Sequence, residues 1–365
     1  MPMRITHSKN AASAKSYFEL SDYLEADPNQ LLKGRWFGKA AESLGLVGEV
    51  DKADFDSLVD NKHPRTGEQM TPRQRADRRN GTDLTFSAPK SVSVLWAYTQ
   101  DDRILEAMQQ ASFDTLAELE KVAQTRVNHS RGVMSLAKTR NIAGASWLHT
   151  TSRPMNGYPD PNLHTHNFVL NMTDAGGRWT ALDLSSVVRD SGLYEKTFQS
   201  NLARNLQAIG YQVERNDRDF EIKSVSRSTI NKFSRRTALI EAEAKERGIT
   251  DAAKKGALGA QTRDRKAAAT VPASELPGKW RSLLTEQEKA ALDAAATGEK
   301  FPGKEEEREA ARMAIDAAIK HQFERDSVVR ERQLLGTAIQ RGIGTASAAE
   351  IVRQLEESPL IREGE

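Results

Sequence analysis

Trp147-Leu-His-Thr-Thr-Ser-Arg153 and Asn162-Leu-His-Thr-His-Asn-Phe-Val-Leu-Asn-Met172 are the two runs on which the reading of this chain turns. The second alternates with the period of a strand, which puts His164, His166, Phe168, Leu170 and Met172 on one face. Gly144-Ala-Ser-Trp-Leu-His149 reads as another strand, with Trp147 and His149 sharing a face. Between the two, Arg153-Pro-Met-Asn-Gly-Tyr-Pro-Asp-Pro161 is full of turn formers, so a hairpin-like return would bring His149 beside the other two histidines. A lone His on a half-apolar strand is ordinarily a packed residue. A pair at i, i+2 with a third one strand earlier, in a chain with only 7 His, favours a ligand set. Three neutral imidazoles would make an open metal site, leaving positions for water or a phosphate oxygen.

Upstream, Thr82-Asp-Leu-Thr-Phe-Ser-Ala-Pro-Lys-Ser-Val-Ser-Val-Leu95 predicts a strand running into a helix. Asp83, Thr85 and Ser87 share one face and Leu84 and Phe86 the other, with Ser87 as candidate cap before Pro89. A carboxylate on a half-buried strand needs a partner, and a structural Arg, a metal-bound His or a hydroxyl awaiting deprotonation would each serve. Residues 10–25 read as a helix capped by Asn10, with Tyr17 and Tyr23 on it or just after it. Arg35 to Val50 reads as a short helix and turn. Lys62 to Arg79 is a polar segment holding Arg73, Arg75, Arg78 and Arg79, either a solvated loop or a set of phosphate contacts.

Further on, Asp101 to Arg126 has the apolar spacing of an amphipathic helix. Strand pairing is expected over Arg131 to Leu148, and Arg178-Trp-Thr-Ala-Leu182 is expected to continue the sheet after Gly176-Gly177. Val187 to Ile209 reads as a second long helix stopped by Gly210, and a hairpin turns around Asn216-Asp217. This order of strands and long helices lacks regular βαβ alternation and predicts an α+β fold, a central antiparallel sheet flanked by helices. After about residue 225 the chain becomes helical: Ser234 to Arg247, a capping box at Thr285, then Lys304 to Arg325, Val328 to Leu335 and Ala348 to Leu355. Ala252 to Thr270 reads as a mobile, protease-sensitive joint. Residues 1–230 are expected to form one domain and 231–365 a mainly helical appendage.

Composition narrows the chemistry. Cys is absent from the 365 residues, which excludes disulfides, thiolate metal sites and a thiol nucleophile, and suits a reducing cytoplasm. No apolar run approaches the ~20 residues of a membrane span, and the N-terminus lacks the apolar region of a signal peptide. Net charge is only +2, so any cationic surface must be local. No Gly-x-x-x-x-Gly-Lys-Ser/Thr motif occurs, so no helicase motor is expected within these residues.

Several segments resemble the MobF conjugative relaxases, the TrwC/TraI type. They are Ala14-Lys-Ser-Tyr-Phe18, Gly45-Leu-Val-Gly-Glu-Val50, Asp83-Leu-Thr-Phe-Ser-Ala-Pro-Lys-Ser-Val-Ser93, His149-Thr-Thr-Ser-Arg153 and Leu163-His-Thr-His166. The tail from Phe323 looks like the segment preceding the helicase domain in such proteins, so the chain is expected to be the N-terminal part of a longer relaxase–helicase or a truncated relative. The resemblance implies a two-layer relaxase fold and strand-specific nicking and rejoining at a plasmid transfer origin, through a 5′-phosphotyrosine intermediate. It implies Tyr17 as nucleophile, Tyr23 as a possible second, and Asp83 as the acid that orients a ligand His and assists tyrosine deprotonation. It implies His149, His164 and His166 as ligands of a divalent metal ion, Mg or Mn by expectation. DNA contacts are expected from Arg73, Arg75, Arg78, Arg79 and Lys90. Implied partners are single-stranded origin DNA, accessory relaxosome proteins and a coupling protein, in the cytoplasm of a donor cell, with transfer to the recipient. The chain departs from the family's paired tyrosines, having Tyr17-Phe18 and Tyr23-Leu24, and its loop between His149 and His164 is a few residues longer. A metal-dependent nuclease using activated water, and a non-catalytic origin-binding module, are the alternatives.

Overall fold

A computed structural model describes residues 3–15, 34–75, 77–129, 134–261, 270–296, 301–324 and 326–360. The described strands are Arg4–Ser8 (β1), Arg35–Phe37 (β2), Gly81–Ser87 (β3), Gln124–Asn128 (β4), Met134–Lys138 (β5), Gly144–Thr151 (β6), Pro161–Leu170 (β7), Thr173–Asp174 (β8), Trp179–Thr180 (β9), Leu182–Asp183 (β10), Val213–Arg215 (β11) and Phe220–Ile222 (β12). The first helices are Ala11–Lys15 (α1), Lys39–Ser43 (α2), Lys52–Val59 (α3), Lys90–Thr99 (α4), Asp102–Glu120 (α5), Ser185–Arg189 (α6) and Ser191–Ala208 (α7). Then follow Arg227–Lys232 (α8), Arg235–Glu246 (α9), Ala252–Gln261 (α10), Leu276–Ser282 (α11), Glu286–Asp293 (α12), Lys304–Phe323 (α13), Glu331–Gly342 (α14) and Ala348–Glu356 (α15).

Period two in β3, β6 and β7 gives the main sheet two different faces. Its order is β1-β3-β7-β6-β2, antiparallel throughout. The register sets His166 between Thr85 and Trp147, Phe168 between Asp83 and Ala145, and His164 between Ser87 and His149. Leu84, Phe86, Leu148 and Leu163 point the other way and pack against α4, α5 and α7, where Phe86 stacks on Phe198 at 4.9 Å between ring centroids. The histidine face carries a smaller core. There Phe55 of α3 meets Trp147 and Phe168 edge-on, at 5.2 and 5.6 Å. Gly34 lies so close under Trp147 that an added Cβ would sit 2.4 Å from the indole nitrogen, so no larger residue fits.

Local signals account for several elements. Thr285 and Glu288 form the expected capping box at α12, and β11 pairs with β12 around Asn216-Asp217. Other expectations are corrected. Arg35–Phe37 is an edge strand, because Trp36 and Phe37 both find buried space when β2 pairs with β6. Met172 lies beyond the end of β7. The α5 helix ends at Glu120, whose carboxylate accepts from the backbone of Lys39 and Ile142; Arg126 belongs to β4. β4 and β5 form a separate sheet with β10, and β9 pairs with β8, so among the described residues neither segment continues the main sheet. The helix expected from Val187 is interrupted at Asp190, whose buried carboxylate faces Arg189 and Arg332. Ser87 remains in the strand and caps nothing; the N–H of Ser91, in the first turn of α4, donates to Glu221 of β12 instead. Ala252–Gln261 is the helix α10. Asp251 accepts from the N–H of Lys254 at its start, and Arg236 of α9 donates to Gly259 within it. Residues 262–269, in the second half of the expected joint, lie outside the described residues.

Beyond α9, α11 packs on α4, burying Trp280 in the main core. Helices α13, α14 and α15 share a second core of Ile315, Ala338, Ile351 and Leu355, which reaches α7 at Leu193.

Candidate metal centre

The β6–β7 pairing brings the three histidines together at the loop end of the hairpin. His149 and His164 are direct cross-strand partners, and His166 follows two residues along β7. Ring centroids are 5.2 Å apart for His149 and His164, 5.0 Å for His149 and His166, and 5.1 Å for His164 and His166. One ring nitrogen from each can be chosen so that all lie within 4.8 Å of one another. Burial holds the His149 imidazole well below its ordinary range, and His164 and His166 act in the same direction. Burial, then His166, brings His164 down to about 4. These two rings are therefore neutral at pH 7 and offer lone pairs.

Hydrogen bonds choose which nitrogen faces inward. Nδ1 of His166 donates to Oδ2 of Asp83 at 2.8 Å, and Nδ1 of His164 donates to the carbonyl of Asn162 at 2.9 Å. Nδ1 of His164 also lies 3.1 Å from the side-chain nitrogen of Asn162, and with Nδ1 engaged in both rings Nε2 is the atom left to face inward as a donor. Asp83 is 4% exposed and also accepts from Thr85 at 3.3 Å. Two outer-oriented imidazoles and a third facing them are a donor set that fits one divalent ion with open positions.

The register between His149 and Thr151 is irregular, since Thr151 pairs with Pro161. Two steps on β6 thus oppose three on β7, a bulge that lies immediately before His164. The connecting loop is gripped from outside the sheet. Arg235 donates to both oxygens of Asp160, from its backbone at 3.0 Å and Nε at 2.6 Å, and to the carbonyls of Met155 and Tyr158. Trp280 Nε1 donates to Pro159 O at 3.0 Å. Neither Arg235 nor Trp280 stands out in the sequence, because each acts on a segment more than 70 residues away, with no motif to mark it.

Tyr17 and Tyr23 lie outside the described residues. The preceding helix α1 is anchored on the histidine face: Ala14 is buried with Trp147 and Phe168, and Lys15 pairs with Asp60 at 2.7 Å. Asp83 reaches the metal candidates directly. Arg78 and Arg79 precede Gly81, at the end of β3 opposite Ser87, a strand length of roughly 20 Å. Arg73 and Arg75 are exposed, and Arg79 is half-buried. Arg78 donates to Val59 O at 2.6 Å. Arg75 and Arg78 line a cleft of about 340 Å³ with Lys9, Lys62 and Asp60. Lys90 is away from this group. Its Nζ donates to Pro161 O at 2.8 Å and lies 3.4 Å from Asn162 Oδ1, and burial pushes its ammonium down to about 8.

Among the described residues no helix is long and apolar enough to cross a membrane. A multifunctional conjugation protein TraI of Escherichia coli is 35% identical over 219 residues, which cover 56% of this chain and 12% of that protein. The chain thus spans about an eighth of the length of this curated relative. The conjugative relaxase TrwC, solved with oriT DNA in a metal-bound structure, is 31% identical with a TM-score of 0.67, covering 80% of this chain and 98% of that one. A copper-bound TrwC structure with oriT DNA gives 32% identity and the same TM-score, 0.67, over 79% of this chain and 98% of that one. The model of the TrwC relaxase family matches residues 7–287, a span holding the histidine hairpin, Asp83 and the helices that grip the loop, and the chain belongs to that family.

Proposed function

We propose that this chain cuts and rejoins one strand of DNA at a plasmid transfer origin, with Tyr17 as nucleophile and a divalent ion held by His149, His164 and His166. The observation that carries this is the convergence of three imidazoles, one oriented by buried Asp83, in a member of the TrwC relaxase family. When bound, such an ion withdraws charge from the non-bridging phosphate oxygens and so favours in-line displacement. Mg²⁺ or Mn²⁺ is the proposed working ion, and an all-imidazole set will also take softer divalent ions.

The chain's own groups do the rest. A tyrosine hydroxyl has a pKa near ~10 and must lose its proton to attack at neutral pH. Its oxygen forms the bond to phosphorus while the bond to the 3′ oxygen breaks, and that oxygen leaves as a hydroxyl. The phosphodiester energy stays in the phosphotyrosine, so reversal reseals the strand. Asp83 Oδ2 is occupied by His166 and Thr85, which makes holding the ring its first role. Exposed Arg73 and Arg75, with Arg79, are proposed to track the DNA backbone away from the nick. Residues 1–230 are proposed as the nicking domain and 231–365 as an appendage, with α9 and α11 serving the metal hairpin from beyond that boundary. Single-stranded origin DNA, accessory relaxosome proteins and a coupling protein are the proposed partners, in a donor-cell cytoplasm.

The test is incubation with single-stranded origin DNA and Mn²⁺, followed by a denaturing gel. Wild type should give a nicked strand and a covalent adduct, and Tyr17→Phe should abolish both while DNA binding persists. Tyr23→Phe should retain the first cut and impair at most a second transfer. Wild-type nicking by Tyr17→Phe without an adduct would make water the nucleophile. Loss of the adduct in Tyr23→Phe alone would move the role to that tyrosine.

A further inference from the structure

Given the three histidines as a metal site, the geometry points to Lys90 as a positioning residue for His164, acting through the bulged start of β7. Four observations meet there. The bulge lies between Pro161 and His164, where β7 departs from its ladder with β6 and loses regular partners. Side chains from the first turn of α4 replace them: Lys90 Nζ donates to Pro161 O, and Ser93 Oγ accepts from Leu163 N at 3.0 Å. The carbonyl of Leu163 is taken by the backbone of Ala88 at 3.0 Å, just before α4. Asn162, between these anchors, has its side-chain oxygen beside Lys90, and both its carbonyl and its side-chain nitrogen lie against Nδ1 of His164, at 2.9 and 3.1 Å.

Lys90 therefore fixes Asn162 from the carbonyl before it and from its side chain, and Asn162 fixes the imidazole. Outer groups of this kind orient a metal ligand and select its tautomer. A cation on a DNA groove would instead keep its ammonium in solvent. Here it faces a carbonyl and an amide oxygen, with the Asp160 and Glu221 carboxylates nearby. Its charge is answered within the fold.

The experiment titrates the full chain with Co²⁺ alone, by calorimetry and by visible absorption. It also measures affinity for a mixed-sequence single-stranded oligonucleotide in EDTA at several salt concentrations. Lys90→Met should weaken Co²⁺ binding about 10- to 100-fold and alter the Co²⁺ spectrum, leaving DNA affinity and its salt slope unchanged. Lys90→Arg should recover part of the Co²⁺ affinity. Asn162→Ala removes the side chain that joins Lys90 to Nδ1 of His164 without touching α4, and it carries the test if Lys90→Met does not fold. The double variant should be no worse than the weaker single one. Wild-type Co²⁺ affinity in both singles overturns the assignment. So does a drop in DNA affinity with a shallower salt slope in Lys90→Met, which would make Lys90 a phosphate contact. His164→Ala separates the two levels. If it binds Co²⁺ normally, the metal site itself is wrong; if it does not and Lys90→Met does, only the role of Lys90 falls.

Discussion

Asn167 and His166 are neighbours on β7 and face opposite sides of the sheet. Asn167 is fully buried under α5. Its amide nitrogen donates to Leu84 O and Thr165 Oγ1, and its oxygen accepts from Ser146 and Ser112. Two donors and two lone pairs are all accounted for, so the closed face holds a polar group that asks for nothing more. His166 spends one ring nitrogen on Asp83 and turns the other toward His149 and His164. Both residues are polar in a largely buried strand. Completeness of the hydrogen bonding separates a residue that pins two layers together from one prepared for a ligand.

The largest effect should come from the closed face. Asn167→Ala leaves four partners without their bond in a dry core and should cost roughly 3 kcal/mol or more. Urea unfolding measures it, and a loss under ~1 kcal/mol would break the contrast. His166→Ala should do the reverse. Co²⁺ affinity should fall by more than the ~100-fold typical of an outer-shell loss, while metal-free stability falls by about 1 to 2 kcal/mol, the cost of leaving buried Asp83 without its ring partner and less than for Asn167→Ala. An equal fall in metal-free stability with Co²⁺ affinity unchanged would place His166 in the structural class with Asn167.

A third expectation concerns pH on the closed side. Glu195 of α7 accepts from Gln199 Nε2 at 2.8 Å, and burial pushes its carboxyl up to about 7. The folded chain then keeps a proton that the unfolded chain releases near its usual value of 4.5. Its contribution to stability is full below that value and is lost as pH rises through about 7. Glu195→Gln should flatten the urea midpoint between those limits, and an unchanged profile would remove Glu195 as its source. The smallest effect belongs to the exposed arginines. Arg75→Ala should weaken single-stranded DNA binding a few-fold and reduce the salt slope by about 0.7, with no change in Co²⁺ affinity.

Strand alternation alone placed His164 with His166 on one face of their strand and Asp83 with Thr85 on one face of theirs, because period two is a local geometric constraint; that the two faces coincide came from the β3–β7 register. The hairpin return that aligned His149 was legible for the same reason: Pro, Gly and Asn at the turn restrict the backbone without help from elsewhere. The capping box at Thr285 and the turn at Asn216-Asp217 are equally local. The helix α10 was misread although Asp251 stood at its start, since a sequence poor in bulky residues gives no apolar stripe until it docks on α9. Sheet order, the separation of β4, β5 and β10 from the main sheet, and the bulge before His164 were decided only by tertiary structure. Each depends on which distant surface buries a strand, and local spacing carries no record of that. The same holds for Lys90 and Arg235. A cation in a sequence looks like any other until folding sets what faces it, and here both face the hairpin that carries the histidines.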